Sequence, residues 1–312
     1  MRFALLFPGQ GSQSVGMLMA MAERHATVRE TFAEASAALS YDLWQLVSEG
    51  PSDRLDQTER TQPALLAAGV AVWRVWRGAG GPEPVAMAGH SLGEYSALVC
   101  AGVLNFADAV RLVQRRGQLM QTAVPAGVGA MAAIVGLEDE AVHTICAESA
   151  QGEVVEAVNF NAPGQVVVAG HKGAVERAAA LAKTSGAKLT KLLPVSVPSH
   201  CSLMQPAAEQ LAEDLKAVSI QAPAIPVLHN LDARPRTAPD DIRQALVAQL
   251  HNPVLWVKTV QNLRALGADA LLECGPGRVL AGLNKRIDKT AASECLHDPQ
   301  TLEAGLSLVR GA

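Results

Sequence analysis

The hydrophobic pattern begins with an unbroken run, Phe3 to Phe7 (F-A-L-L-F), stopped by Pro8. Apolar residues without alternation predict a strand covered on both faces, as in a parallel sheet. From Met17 to Leu46 apolar positions recur at helical spacing until Gly50-Pro51 breaks them. Gln62-Pro63 predicts the opening of the next helix, with Pro63 in its first turn and Ala64 to Trp76 buried along one side. A second short run, Val85 to Ala88, closes on Gly89-His90-Ser91-Leu92-Gly93, and helical spacing resumes at Tyr95, Leu98, Val99 and Leu104. This reads as strand, sharp turn, helix. Asn105 to Met120 predicts a further helix carrying Arg111, Arg115 and Arg116.

Near Pro125-Ala126-Gly127 the rhythm changes. Strand-like runs at Gly129 to Val135, Val154 to Phe160, Gln165 to Ala169 and Leu189 to Val195 are interleaved with helical stretches at Glu138 to Ala150 and Gly173 to Thr184. The order β-α-β-β-α-β is that of a ferredoxin-like unit. Both its ends return to the larger part of the chain, so residues 126–196 are expected as a small inserted subdomain and residues 1–125 and 197–312 as the large α/β core. Beyond the insertion come V-P-S-H-C (Val197 to Cys201), a helix to Val218, a strand at Ile225 to His229 and a helix from Asp240 to Leu250. Asn252-Pro253 predicts the cap of a last long helix, Val254 to Leu266, ended by Gly267, before a strand at Ala270 to Glu273.

Composition narrows the function classes. Hydrophobic residues make up 49% and charged residues 18% of the 312, which is ordinary globular composition. Aromatics at 4% favour helices packed tightly on a sheet over an aromatic-rich sandwich. A net charge of -4 argues against nucleic acid as partner. No run reaches the apolar length of a membrane span, and the opening run is too short for a secretion signal. Five cysteines without C-x-x-C spacing suggest neither a disulfide framework nor a zinc site, and fit a reducing cytoplasm.

The turn G-H-S-L-G carries the chemistry. Glycines two places either side of Ser91 let the backbone double back, leaving the hydroxyl exposed between a strand end and a helix start, as a nucleophile elbow requires. The loop P-G-Q-G-S-Q-S-V-G after the first strand is not a dinucleotide fingerprint, because Ser14 stands where the last glycine should be. It can still offer backbone N–H groups and the Gln10 amide to an anionic atom. An activated serine needs a base, and of the eight histidines His200 is the best placed by context, in a loop held by Pro198 where the chain re-enters the large core. Arg116 precedes Gly117, which permits close approach by a ligand or another segment.

Seven ordered motifs extend these readings. F-P-G-Q-G-S-Q (Phe7 to Gln13), T-Q-P (Thr61 to Pro63), G-H-S-L-G-E-Y (Gly89 to Tyr95), R-G-Q-L-M-Q (Arg116 to Gln121), N-F-N-A-P-G-Q (Asn159 to Gln165), V-P-S-H (Val197 to His200) and Q-L-H-N-P-V (Gln249 to Val254) resemble the malonyl-CoA:acyl-carrier-protein transacylases of fatty-acid synthesis. The likeness runs over nearly the whole chain. It implies a hydrolase-like α/β core, with a parallel sheet and helices on both faces, plus a ferredoxin-like insertion. It further implies Ser91 as the acylated nucleophile, His200 as its base, and Gln10 with the Leu92 N–H as oxyanion hole. Arg116 would grip the malonyl carboxylate and the Gln249 carbonyl would orient the imidazole, with Thr61-Gln62 and Asn161 lining the site. The substrates implied are malonyl-CoA and holo acyl carrier protein, with coenzyme A entering only as a thioester, no permanent cofactor, and a cytoplasmic monomer. A serine thioesterase or esterase shares the elbow but would normally place an acid between nucleophile and base. A transferase supplying a polyketide or malonate-decarboxylating system shares every motif.

Overall fold

The computed structural model describes residues 1–195 and 197–311, so the expected subdomain edge at residue 196 and the last residue, 312, lie outside the described residues. Its strands, in chain order, are β1 (Phe3–Phe7), β2 (Ala86–Gly89), β3 (Gly129–Val135), β4 (Val155–Ala162), β5 (Gln165–His171), β6 (Leu189–Leu192), β7 (Val227–Leu228), β8 (Ala270–Glu273) and β9 (Ala292–Cys295). They form two sheets. The first, ordered β7-β2-β1-β8-β9, is parallel throughout.

β1 lies at the centre of this sheet and is buried along its whole length, as its unbroken apolar run requires. Successive side chains leave a strand on opposite faces. Phe3, Leu5 and Phe7 pack with the helices Ala26–Leu39, Thr58–Gly78, Gly93–Cys100 and Phe106–Thr122, while Ala4 and Leu6 pack with Trp256–Ala265 and Val279–Ile287. The chain is therefore an α/β protein with helices on both faces of a parallel sheet. Strand order reverses at β1, and ligands of open α/β sheets bind beyond the strand C-termini at such a reversal. Gln10 follows the C-terminal end of β1, and Ser91 that of β2.

The second sheet, ordered β4-β5-β3-β6, is antiparallel. Ala132, Ile134, Val166 and Val168 face the helices Asp139–Ala150 and Lys172–Thr184. On its other face Met131, Val158, Val167 and Ala169 pack with Cys201, beside the segment that carries His200. β4 is also joined to the larger body: the Val254 N–H donates to the Val158 carbonyl (2.9 Å) and the Phe160 N–H to the Val254 carbonyl (3.0 Å).

Local departures from the sequence pattern have local causes. The helix expected to open at Gln62-Pro63 starts at Thr58, and its extra turn is held by the Thr61 hydroxyl on the Leu55 carbonyl (2.6 Å). The long helical pattern from Met17 divides at His25, which is extended, and at Ser40, which has φ 61°. Asn252 does not cap the helix that follows it; its side chain donates to the Ala248 carbonyl (2.8 Å), and the helix begins at Trp256. That helix is not the last, since Val279–Ile287, β9 and Pro299–Arg310 come after it.

One glycine joins the layers. A Cβ on Gly93 would sit 2.0 Å from the Phe7 carbonyl oxygen, so only glycine lets the elbow helix start against the end of β1. Both groups are backbone and neither can rotate away. Gly93→Ala is expected to cost about 3 kcal/mol or more in stability, at the upper end of overpacking penalties. Chemical unfolding followed by far-UV circular dichroism measures this, and a loss under about 1 kcal/mol would contradict the packing described.

Candidate active site

Ser91 leaves β2 with φ 52°, a left-handed conformation that costs a non-glycine residue roughly 1–3 kcal/mol. Two hydrogen bonds hold that turn. The Ser91 N–H donates to Asn230 Oδ1 (2.7 Å), and Asn230 Nδ2 donates to the Gly89 carbonyl (2.6 Å). The Leu92 N–H, at the mouth of the following helix, has no acceptor among the described residues. Gln10 is exposed and lines the same cleft as Ser91, Leu92 and His200. A Cβ on Gly9 would lie 2.4 Å from the His90 carbonyl oxygen, so the loop bearing Gln10 rests directly on the elbow.

His200 also has positive φ, 69°, and its N–H donates to the Leu250 carbonyl (3.0 Å). Its Nδ1 is 2.8 Å from the Gln249 carbonyl and its Nε2 is 2.8 Å from Ser91 Oγ. A carbonyl only accepts, so the proton belongs on Nδ1 and Nε2 is left to accept the serine proton. Burial and the nearby Arg116 charge lower the His200 pKa to about 3, because both disfavour the imidazolium. His200 is therefore neutral across the physiological range. If Ser91 is a nucleophile that uses His200 as its base, the second-order rate of its acylation is expected to be flat from about pH 5 to 8, since kcat/KM follows free-enzyme ionisations. Rapid-quench acylation across that range tests this, and a rise with midpoint at the ordinary imidazole value would show a solvated His200.

Arg116, on the helix Phe106–Thr122, is 1% exposed. Its Nη1 donates to Gln62 Oε1 (2.9 Å), and its Nη2 donates to Gln249 Oε1 (3.0 Å) and Ser91 Oγ (3.3 Å). Burial lowers its pKa, and Tyr95 and Glu94 oppose that shift. Its Nε has no partner among the described residues, and no carboxylate bonds to it there. A buried guanidinium held by neutral carbonyls beside a serine suits an incoming carboxylate.

The remaining cleft lining includes Met120, Met131, Val167 and Val197 together with Asn159 and Asn161. His90 turns away from Ser91 and pairs its Nε2 with Asn161 Oδ1 (2.8 Å). The two other arginines of the helix are elsewhere: Arg111 pairs with Asp108 and Arg115 with Asp214 at the surface. Among the described residues no carboxylate bonds to the His200 ring, which separates the site from a serine hydrolase triad. Sequence reasoning missed Glu94, His229 and Asn230. Glu94 and His229 are 2.7 Å apart and fully buried, and Asn230 braces the elbow. The signal available was an acid one helical turn after the serine, on an otherwise apolar helix.

Comparison with known proteins places the whole chain in a family. The chain is 59% identical over 306 residues to the malonyl CoA-acyl carrier protein transacylase of Salmonella typhimurium, covering 98% of this chain and 99% of that one. It superposes with TM-score 0.96 on an acyl carrier protein S-malonyltransferase from Vibrio cholerae, 58% identical, covering 98% and 100%. A malonyl-transacylase solved with a holo acyl-carrier protein of a type II PKS gives TM-score 0.98 at 54% identity, covering 99% and 100%. The model of the acyl transferase domain matches residues 4–295, and with a fold and a set of relatives that agree over its length, this chain is an acyltransferase belonging to that family.

Proposed function

We propose that this chain moves the malonyl group of malonyl-CoA to the phosphopantetheine thiol of holo acyl carrier protein through a malonyl-Ser91 intermediate. The observation that carries this reading is the position of Arg116, buried and within hydrogen-bond distance of the hydroxyl that His200 addresses. His200 Nε2 takes the proton as Oγ forms its bond to the thioester carbon, and the oxygen of that carbonyl becomes an oxyanion held by the Leu92 N–H and Gln10. The carbon–sulfur bond then breaks and the imidazolium returns the proton to the departing coenzyme A thiolate. The carrier's thiol enters by the same steps in reverse. Arg116 fixes the waiting acyl group by its free carboxylate, which keeps its geometry unsuited to attack by a stray water.

Coenzyme A is accordingly a leaving group and not a resident cofactor. Residues 126–196 act as the ferredoxin-like subdomain that closes one side of the cleft over the core formed by 1–125 and 197–312. All five cysteines are free, which supports a reducing, cytoplasmic setting, and no helix of the described residues is long and apolar enough to cross a membrane. Intact-mass measurement after mixing with malonyl-CoA tests the reading: one malonyl group should appear and then leave on addition of holo carrier protein. An adduct that water, but not carrier, removes would make this a hydrolase. A polyketide carrier is the second reading, favoured by the 54% identical relative solved with a type II PKS carrier. Competition between fatty-acid and polyketide carriers for the acylated enzyme separates the two.

A further inference from the structure

The transfer chemistry leaves one buried acidic side chain beside the site without a task. Glu94 is fully buried on the helix Gly93–Cys100. Its Oε1 accepts from His229 Nδ1 (2.7 Å), and its Oε2 accepts from the Asn230 N–H (2.8 Å) and from Gln249 Nε2 (2.8 Å). Gln249 Nε2 donates in addition to the Ser91 main-chain carbonyl (3.1 Å). With two acceptors facing its nitrogen, the Gln249 carboxamide can sit only one way round, and its oxygen therefore meets Arg116 Nη2 (3.0 Å). The main chain of the same residue supports His200.

We infer that Glu94 is a positioning residue which, through the Gln249 carboxamide, holds Arg116 ready for a substrate carboxylate and so sets the preference for malonyl over acetyl thioesters. This rests on the transfer reaction proposed above. A carboxylate bonded directly to Arg116 would occupy the groups that a malonyl carboxylate needs. Placed behind an amide, Glu94 fixes the fork by hydrogen bonds while leaving it open. A side chain needed only to pack that helix would be apolar, since an isolated buried carboxylate carries a large desolvation cost.

The test is the ratio of kcat/KM for malonyl-CoA to that for acetyl-CoA. Glu94→Ala frees the Gln249 amide and should lower the ratio by about tenfold, the scale of one hydrogen bond. Glu94→Gln should return it close to wild type. Its amide oxygen can take the place of Oε2, and its nitrogen can face a His229 that has moved its proton to Nε2, an atom without a partner among the described residues. A Glu94→Ala enzyme that is slow with both substrates but keeps the wild-type ratio makes Glu94 merely structural and overturns the inference, as does an equal loss of ratio in Glu94→Gln. Should either variant fail to fold, Gln249→Met decides alone: it keeps the main-chain carbonyl on His200 and should lower the ratio, and an unchanged ratio overturns the relay. Wild-type enzyme is the control. If it takes no malonyl group, the transfer reading itself has failed; if it does and the ratios do not move, only this inference has.

Discussion

Ser91→Ala is expected to fold and to remain unacylated in malonyl-CoA, with transfer to carrier reduced by about 10⁴-fold or more, in line with losses on removing a covalent nucleophile. The expectation follows from how little else the site offers. Of the five cysteines only Cys100 is partly exposed, and none lines the cleft with Ser91 and His200. Burial pushes the Cys201 thiol, next to His200, up to about 12, which keeps it protonated and unreactive. Carrier and coenzyme A must exchange through one covalent bond, so losing that bond stops both halves of the reaction together. Peptide mapping of the wild-type adduct decides the point. A malonyl group on any other residue, or an alanine variant that still transfers, would rule out the serine mechanism.

The second large effect concerns which acyl group is taken. Arg116→Ala should depress malonyl transfer by at least about tenfold to a hundredfold, the factor set by about 1.5–3 kcal/mol for a lost charged hydrogen-bond partner. Acetyl transfer should stay level or improve, because an acetyl group leaves the buried guanidinium without its partner and that penalty disappears with the side chain. Arg116→Lys should recover only part of the preference. An ammonium keeps the charge but cannot span Gln62 and Gln249 while offering a planar fork to the substrate. Measured specificity constants for both thioesters give the answer. If the alanine variant keeps the wild-type ratio, the carboxylate is read by another group, although Arg111 and Arg115 are already paired at the surface.

How much of this could be read from the chain depended on the range of the interaction. β1 and the elbow are local: an unbroken apolar run and a serine between glycines announce themselves within a few residues. β7 is also local but only Val227–Leu228, too short to fill the five-residue stretch its pattern suggested, since the chain turns off at His229 to bond Glu94. Asn252 shows the limit of capping rules, because its side chain reaches back to the helix before it. Contacts between distant segments were hidden in a different way. The Ser91–His200 pair spans 109 residues and could be suggested only from loop context and from the family resemblance of V-P-S-H, not from any local pattern. The Glu94 cluster spans more than that, and its only local trace is the acid one turn after the serine; its partners His229, Asn230 and Gln249 become visible only when the fold has brought them around it.

The two hydrogen bonds between β4 and Val254 fix how the cleft can discriminate by size. Asn159 and Asn161 line it from a strand pinned to the body that carries Ser91, so that wall has no hinge at this edge. Around the pinned edge the lining is apolar, unbranched at Met120 and Met131 and branched at Val197, so an acyl chain longer or more branched than the malonyl group proposed here is expected to meet these side chains first.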